Sequence, residues 1–189
     1  MKRVIFALLL IIPLTSFAQL NQGYKGFVDA GYRLNTNEYE ANAFEISSSH
    51  GYQINPHFFV GGGVAMYFTN EMRTETSDGI LFEGRDSKVD IPVFANVKIN
   101  FLKGTISPYI DGRAGTYINN NGGLYYSLAL GVRFSTNGTQ AINLSIGGSS
   151  SNLEVNKFDH FLNKYDLSYS TKPYNTTWYG YEFKIGYEF

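Results

Sequence analysis

Charged residues fall on only one face of the alternating segments in this sequence. The segment 88–101, KVDIPVFANVKINF, has all three of its charges at even positions, and its odd positions hold only apolar residues. Successive side chains of a β-strand point to opposite faces, so this alternation predicts a strand with one charge-free face. A barrel of such strands with its charges inside suits lipid, because an outward Lys or Arg at the middle of a bilayer costs about 2–4 kcal/mol.

Eight segments share this alternation, and none of them carries charges on both faces. Each segment is long enough to cross a bilayer as a tilted strand. In hydrocarbon every backbone N–H and C=O must be paired within the protein, so the strands must close on themselves. The sequence therefore predicts an all-β fold, an eight-stranded antiparallel up-and-down transmembrane β-barrel. The predicted strands are 24–34, 44–54, 58–69, 88–101, 108–118, 124–135, 140–150 and 176–189.

The connections between these segments alternate in length. Three of them are short turns, at 55–57, 102–107 and 136–139. Those on the opposite side are longer and polar, at 35–43, 70–86 and 151–176, except for the short connection 119–123. Short turns at one end and long loops at the other are typical of outer-membrane barrels. We expect the two longest loops, 70–86 and 151–176, to contact an extracellular protein. For the second loop, an extension of the neighbouring strands above the membrane is an equal alternative.

The N-terminal residues have the features of a secretory signal peptide. Two positive residues precede an apolar run at 4–14, and Ser16 and Ala18 are small residues at the −3 and −1 positions of a cleavage site. The run is too short to span a membrane. We expect a cleaved signal peptide at 1–18 and one barrel domain at 19–189.

The amino-acid composition argues against several classes of function. The chain has no cysteine, which excludes disulfides, thiolate metal sites and a lipid-modified N-terminal cysteine. Its net charge of −1 lacks the basic surplus of nucleic-acid-binding proteins. The three histidines show no metal-ligand spacing. We therefore predict no metal, no cofactor and no nucleic-acid partner.

The last predicted strand finishes on Phe189, and apolar residues occupy every second position before it, including Phe183, Ile185 and Tyr187. This pattern resembles the C-terminal signature of outer-membrane β-barrel proteins, whose last strand is recognised by the barrel-assembly machinery. The resemblance implies that these four residues are an assembly signal. Deleting Phe189 is therefore expected to impair assembly more than stability.

The strand count resembles the small barrels of the OmpA transmembrane-domain and OmpX class. The segment 90–101 resembles strands of the outer-membrane β-barrel domain family of Bacteroidetes-type bacteria. These resemblances imply an integral barrel in the bacterial outer membrane, surrounded by lipid and lipopolysaccharide, with both termini periplasmic. They imply little about function, because small barrels serve many roles.

Ten charged residues share the inward face of their strands and are predicted to form a network inside the barrel. At the seam between the first and last strands, we expect Lys25 to face Glu188 and Asp29 to face Lys184. The predicted network is Lys25, Asp29, Arg33, Lys98, Asp111, Arg113, Arg133, Glu182, Lys184 and Glu188. Bulky residues on the same face are predicted to fill the lumen: Phe59, Tyr67, Phe94, Tyr109, Tyr117, Tyr125 and Trp178.

No catalytic residue is predicted. His50 has the lipid-facing parity of its strand, with Ser48 near it, and this loosely resembles barrel-type lipid A deacylases. The order of the two residues is reversed, however, and no acidic partner is evident. We predict a structural or surface-interaction role with a plugged lumen; a small lipid-modifying barrel enzyme and a narrow-channel porin are the alternatives.

Overall fold

The computed structural model describes residues 22–36, 42–75, 81–119, 123–136, 139–163 and 166–189, with the side chains of 73–83 and 157–172 excepted. The expected signal peptide at 1–18 lies outside these residues. Within them the chain forms eleven β-strands. The strands are β1 (Gly23–Asn35), β2 (Ala43–Asn55), β3 (Phe58–Thr69), β4 (Met72–Glu75), β5 (Leu81–Arg85), β6 (Lys88–Asp90), β7 (Pro92–Asn100), β8 (Ile106–Tyr117), β9 (Leu124–Ser135), β10 (Ala141–Asn163) and β11 (Asp166–Glu188).

The strands close into an eight-stranded antiparallel up-and-down barrel, which confirms the predicted fold. Barrel strands pair in chain order, and β11 pairs back with β1. β6 and β7 both pair with β3 and together make one barrel strand, interrupted at Ile91. β4 and β5 form a separate hairpin that pairs with β10 at Asn156↔Gly84. We call the end where β1 begins and β11 ends the terminal end, and the opposite end the hairpin end.

Most barrel strands lie within one or two residues of their predicted positions, but β10 and β11 are much longer. Each has 23 residues, and the two stay paired as far as Asn163↔Asp166. Most of the predicted loop 151–176 is therefore a two-stranded extension, which was the alternative interpretation. The predicted loop 70–86 likewise contains the β4–β5 hairpin. At the base of the extension, the inward side chains of Leu153, Val155 and Trp178 are buried in an apolar core.

β10 reverses the polarity of its two faces along its length. Near the terminal end, Ile142 and Leu144 are exposed on the outer face. Towards the hairpin end, Leu153 and Val155 point inward and are fully buried, while the outer face carries polar residues such as Asn152. The outside of the barrel is therefore apolar over one stretch and polar beyond it.

β11 shows the same change in the polarity of its two faces, and the position of this change marks where the apolar outer surface ends. Outward residues from Tyr187 to Tyr179 are all large, apolar or aromatic, and exposed. Directly beyond them, Trp178 is buried inside and Thr177 is exposed outside. We call the exposed outer surface between these limits the apolar band. On β11 it spans residues 179–187, the length of a tilted strand that crosses a bilayer.

Candidate functional site: a charged interior within an apolar band

Apolar side chains face outward and charged side chains face inward in the barrel. Leu128 and Leu130 are 59% and 60% exposed, whereas Arg33 and Glu182 are each 1% exposed. A barrel in water would have the opposite arrangement. No helix in the described part of the chain is long and apolar enough to span a membrane.

Arg113, on β8, is the centre of the interior charge network. Its side chain is 5% exposed. Its guanidinium contacts three carboxylates and one hydroxyl: Asp29 Oδ2 at 2.6 Å, Asp111 Oδ1 at 3.0 Å, Glu45 Oε1 at 3.4 Å and Ser47 Oγ at 3.0 Å. These partners come from β1, β2 and β8, so a single cation links strands on opposite sides of the lumen.

A second cation extends the network towards the hairpin end. Lys184 Nζ lies 2.7 Å from Glu182 Oε2 and 3.5 Å from Glu45 Oε2. Glu182 also accepts hydrogen bonds from Ser127 Oγ at 2.9 Å and Tyr67 OH at 3.1 Å. Glu45 thereby connects Lys184 to the Arg113 cluster. Glu45 has the inward parity of its strand, but the predicted network of ten charges did not include it.

Glu188 forms a third cluster at the terminal end. Its carboxylate lies 2.7 Å from Lys25 Nζ, 2.9 Å from Arg133 Nε and 3.6 Å from Lys98 Nζ. Three cations from β1, β7 and β9 thus converge on one buried acid of the last barrel strand. Lys98 also donates a hydrogen bond to Asn143 Oδ1 at 2.9 Å.

Arg33 belongs to the predicted network but lies apart from its acids. The guanidinium is centred 4.4 Å from the Tyr67 ring and donates to Ser151 Oγ at 2.8 Å. Its surroundings are the aromatic core of the hairpin end rather than the ionic clusters. A cation on an aromatic face keeps part of its electrostatic stabilisation when no carboxylate is in contact.

A separate ion pair closes the hairpin end of the lumen. Arg85 Nη2 donates to Asp90 Oδ1, and Thr69 Oγ1 donates to Asp90 Oδ2 at 2.8 Å. The Arg85 guanidinium lies 5.6 Å from the centre of the Trp178 ring. The same end of the molecule holds an apolar core, which among the described residues has ten buried members: Ala43, Ala65, Tyr67, Met72, Phe94, Tyr117, Tyr125, Leu153, Val155 and Trp178.

The register of the closing seam differs from the expected one. The structure pairs Asp29 with Gly186 and Gly31 with Lys184, two residues away from the predicted pairing. Glycine opposite each charge leaves space for the charged side chain, because a Cβ on Gly186 would overlap the Asp29 carboxylate. Lys25 still reaches Glu188, but from a diagonal position rather than a directly opposed one.

If Lys25 and Glu188 contacted only each other, exchanging their charges would restore the stability of the seam, but Glu188 also contacts Arg133 and Lys98. In the double variant Lys25→Glu/Glu188→Lys, the new lysine would face Arg133 and Lys98. We therefore expect the double variant to unfold at a lower denaturant concentration in detergent than Lys25→Glu alone, which leaves Glu188 with two cations. Relative to Glu188→Lys alone, the double variant should recover only part of the loss, because only one of three like-charge contacts becomes an attraction. Recovery to the wild-type unfolding midpoint would show that Lys25 is the only important partner of Glu188.

The lumen is filled by its own side chains. All seven predicted lumen residues are buried, from 0% exposed for Phe59 to 5% for Tyr109. An interior cavity between Lys98, Asp111 and Lys184 has a volume of about 10 Å³. That volume is at the limit for one water molecule.

His50, which has the outward parity of its strand, has polar partners on the same face. Its Nε2 lies 2.9 Å from Ser48 Oγ, and its Nδ1 lies 2.6 Å from Tyr24 OH. Tyr24 thus occupies the position where a catalytic triad would have an acid. Ser48 is only 2% exposed, so its hydroxyl is shielded from a substrate. Among the described residues, no three His, Asp or Glu side chains form a metal-binding group.

Comparison with known proteins supports the fold and nothing finer. No protein-family profile and no curated protein matches the sequence. Among solved structures, the chain is similar to Neisserial surface protein A (NspA), with a TM-score of 0.51. The two chains are 12% identical, and the match covers 89% of this chain and 96% of that one. Likeness at this identity shows a shared barrel fold, and the family suggested by the sequence stays a prediction.

Proposed function

We propose that this protein is an integral β-barrel of the bacterial outer membrane with a structural or surface-interaction role and no catalysis. The observation that carries the proposal is the apolar band around a closed, charged interior. A bilayer would cover the band, and closure leaves no unpaired strand edge within it. Lipid and lipopolysaccharide would be the immediate neighbours of the barrel.

We propose that the terminal end is periplasmic and that the hairpin end faces the outside of the cell. Outer-membrane barrels have short periplasmic turns and longer extracellular connections. Here the β10–β11 extension and the β4–β5 hairpin both lie at the hairpin end. The barrel-assembly machinery would recognise the last strand, with Phe183, Ile185, Tyr187 and Phe189 as the signal.

The hairpin end offers the surface for an extracellular protein partner, through 70–86 and 151–176. This surface is anchored to the barrel, because Leu153, Val155 and Trp178 are buried in a common core with Met72 at the start of β4. The second segment carries aromatic residues that would suit a contact surface: Phe158, Phe161, Tyr165, Tyr169 and Tyr174. The first four lie where side chains are not described, and Tyr174 is half-buried against the core.

An epitope inserted at two places tests the location and the orientation. An epitope inserted between Asn163 and Asp166, the last described pair of the β10–β11 extension, should bind antibody on intact cells. The same epitope after Gly104, in a short turn at the terminal end, should bind antibody only after the outer membrane is permeabilised. Recovery of either protein in the soluble periplasmic fraction would contradict the proposal.

The filled lumen predicts that the barrel does not conduct ions steadily. In the part of the chain that the structure describes, the large interior side chains are buried and the cavity beside Lys98 and Asp111 holds about 10 Å³, so we expect no continuous water path. Purified protein in planar bilayers should show no sustained porin-like current. Steady channels of porin size would favour the narrow-channel alternative.

A further inference from the structure

The Phe189 side chain lies on the outer face of the barrel beside the first strand. Phe189 and Gly26 exchange two backbone hydrogen bonds, at 2.9 and 3.0 Å, so they are directly opposed across the seam. On its other side, Gly26 is paired with His50 of β2. His50, Gly26 and Phe189 therefore form a row across three strands, and the middle position has no side chain.

The missing side chain of Gly26 makes room for the Phe189 ring. A Cβ atom added to Gly26 would lie 2.5 Å from two carbons of that ring. The ring meets His50 edge-on, with 6.2 Å between centroids, and stacks on Tyr187 at the same centroid distance. Both distances lie in the range of favourable aromatic pairs.

His50 is fixed in place as one wall of this site. Hydrogen bonds to Ser48 and Tyr24 use both of its ring nitrogens, and Tyr24 also stacks on it with 6.0 Å between centroids. An imidazole with both nitrogens hydrogen-bonded suits an apolar surrounding, where an unpaired polar group is costly. The Ser48–His50–Tyr24 chain thereby has a positioning role that needs no chemistry at Ser48.

We propose that Gly26, His50 and Tyr187 form a seat for the Phe189 ring. Packing of the ring in this seat stabilises the pairing of β1 with β11, an effect that we call the lock. In the finished barrel the seat also makes Phe189, part of the proposed assembly signal, inaccessible to the assembly machinery, an effect that we call the concealment. Gly26 and His50 reach the ring only when β1 pairs with β11, so the seat is complete only in a closed barrel. The concealment rests on the proposed recognition of Phe189 by the assembly machinery, whereas the lock does not.

Hydrogen exchange of the Phe189 amide, measured by NMR in detergent micelles, tests the lock. In Gly26→Ala the new methyl group displaces the ring, and we expect the Phe189 N–H to exchange about tenfold faster. Gly148→Ala is the matched control, because an added Cβ there has its nearest contact at 3.8 Å. Equal exchange of the Phe189 amide in both variants would overturn the seat.

A double variant gives an independent check that does not depend on Gly26→Ala alone. Phe189→Ala should lower the unfolding midpoint, because it removes the ring from the seat. Gly26→Ala should then have no further effect in the Phe189→Ala background, since nothing remains to displace. Additive effects of the two substitutions would show that residue 26 and the ring do not interact.

Co-purification of variants with the assembly machinery from cells tests the concealment and the assembly signal separately. Gly26→Ala keeps Phe189 but displaces its ring from the seat, so the ring stays accessible to the barrel-assembly machinery. A larger amount of this variant than of Gly148→Ala should therefore co-purify with that machinery. Equal amounts would overturn the concealment. Phe189→Ala should co-purify less than the wild type; if it does not, the proposed signal is wrong, and the lock is then judged by exchange alone.

Discussion

Replacing Arg113 with methionine is expected to destabilise the barrel by about 3–5 kcal/mol, the usual cost of removing one partner from a buried ion pair. The substitution leaves Asp29, Asp111 and Glu45 inside the lumen without the cation that contacts all three. Methionine fills much of the lost volume, so the effect reports the charge. Urea unfolding of barrels in lipid vesicles would measure it.

Arg133→Met is the matched control for this prediction. Arg133 also binds a buried carboxylate, but Glu188 keeps Lys25 and Lys98 when Arg133 is removed. We expect a clearly smaller loss of stability. Adding Asp29→Asn to Arg113→Met should recover part of the loss, because one uncompensated charge disappears. If Arg113→Met costs no more than Arg133→Met, Arg113 is not the centre of the network.

Replacing Leu130 with arginine is expected to cost about 2–4 kcal/mol in lipid vesicles, as for a cation on the lipid face near mid-bilayer. Leu130 is 60% exposed and lies between Ile110 and Ile146 on the neighbouring strands. The substitution breaks no contact inside the barrel. Its cost therefore measures directly whether this surface faces lipid. The same unfolding measurement in vesicles provides the value.

Two variants control for effects other than membrane burial. Leu130→Ala removes the leucine without adding a charge and should cost much less. Asn156→Arg places the same charge on an outward position of β10 beyond the apolar band, where we expect almost no cost. Equal stability of Leu130→Arg and wild type would show that the band faces water, and the membrane proposal would fail.

The alternation of residue types along the sequence determines most of the fold. The inward and outward faces of each strand follow from parity alone, because a strand has only two faces. The eight barrel strands, the buried charges and the filled lumen follow from that division. Glu45 also has inward parity but was left out of the predicted network, and its contacts with Arg113 and Lys184 are known only from the structure.

The partners themselves depend on the tertiary structure. The seam register follows from where glycines leave space beside charged side chains, as with Gly186 opposite Asp29, and not from a count of opposed charges. Arg113 binds acids on strands that are distant in sequence, which only closure of the barrel brings together. The Phe189 seat likewise combines β1, β2 and β11. Sequence alternation thus determined which face each residue occupies, whereas register and curvature decided which residues meet, because those depend on side-chain volume across several strands at once.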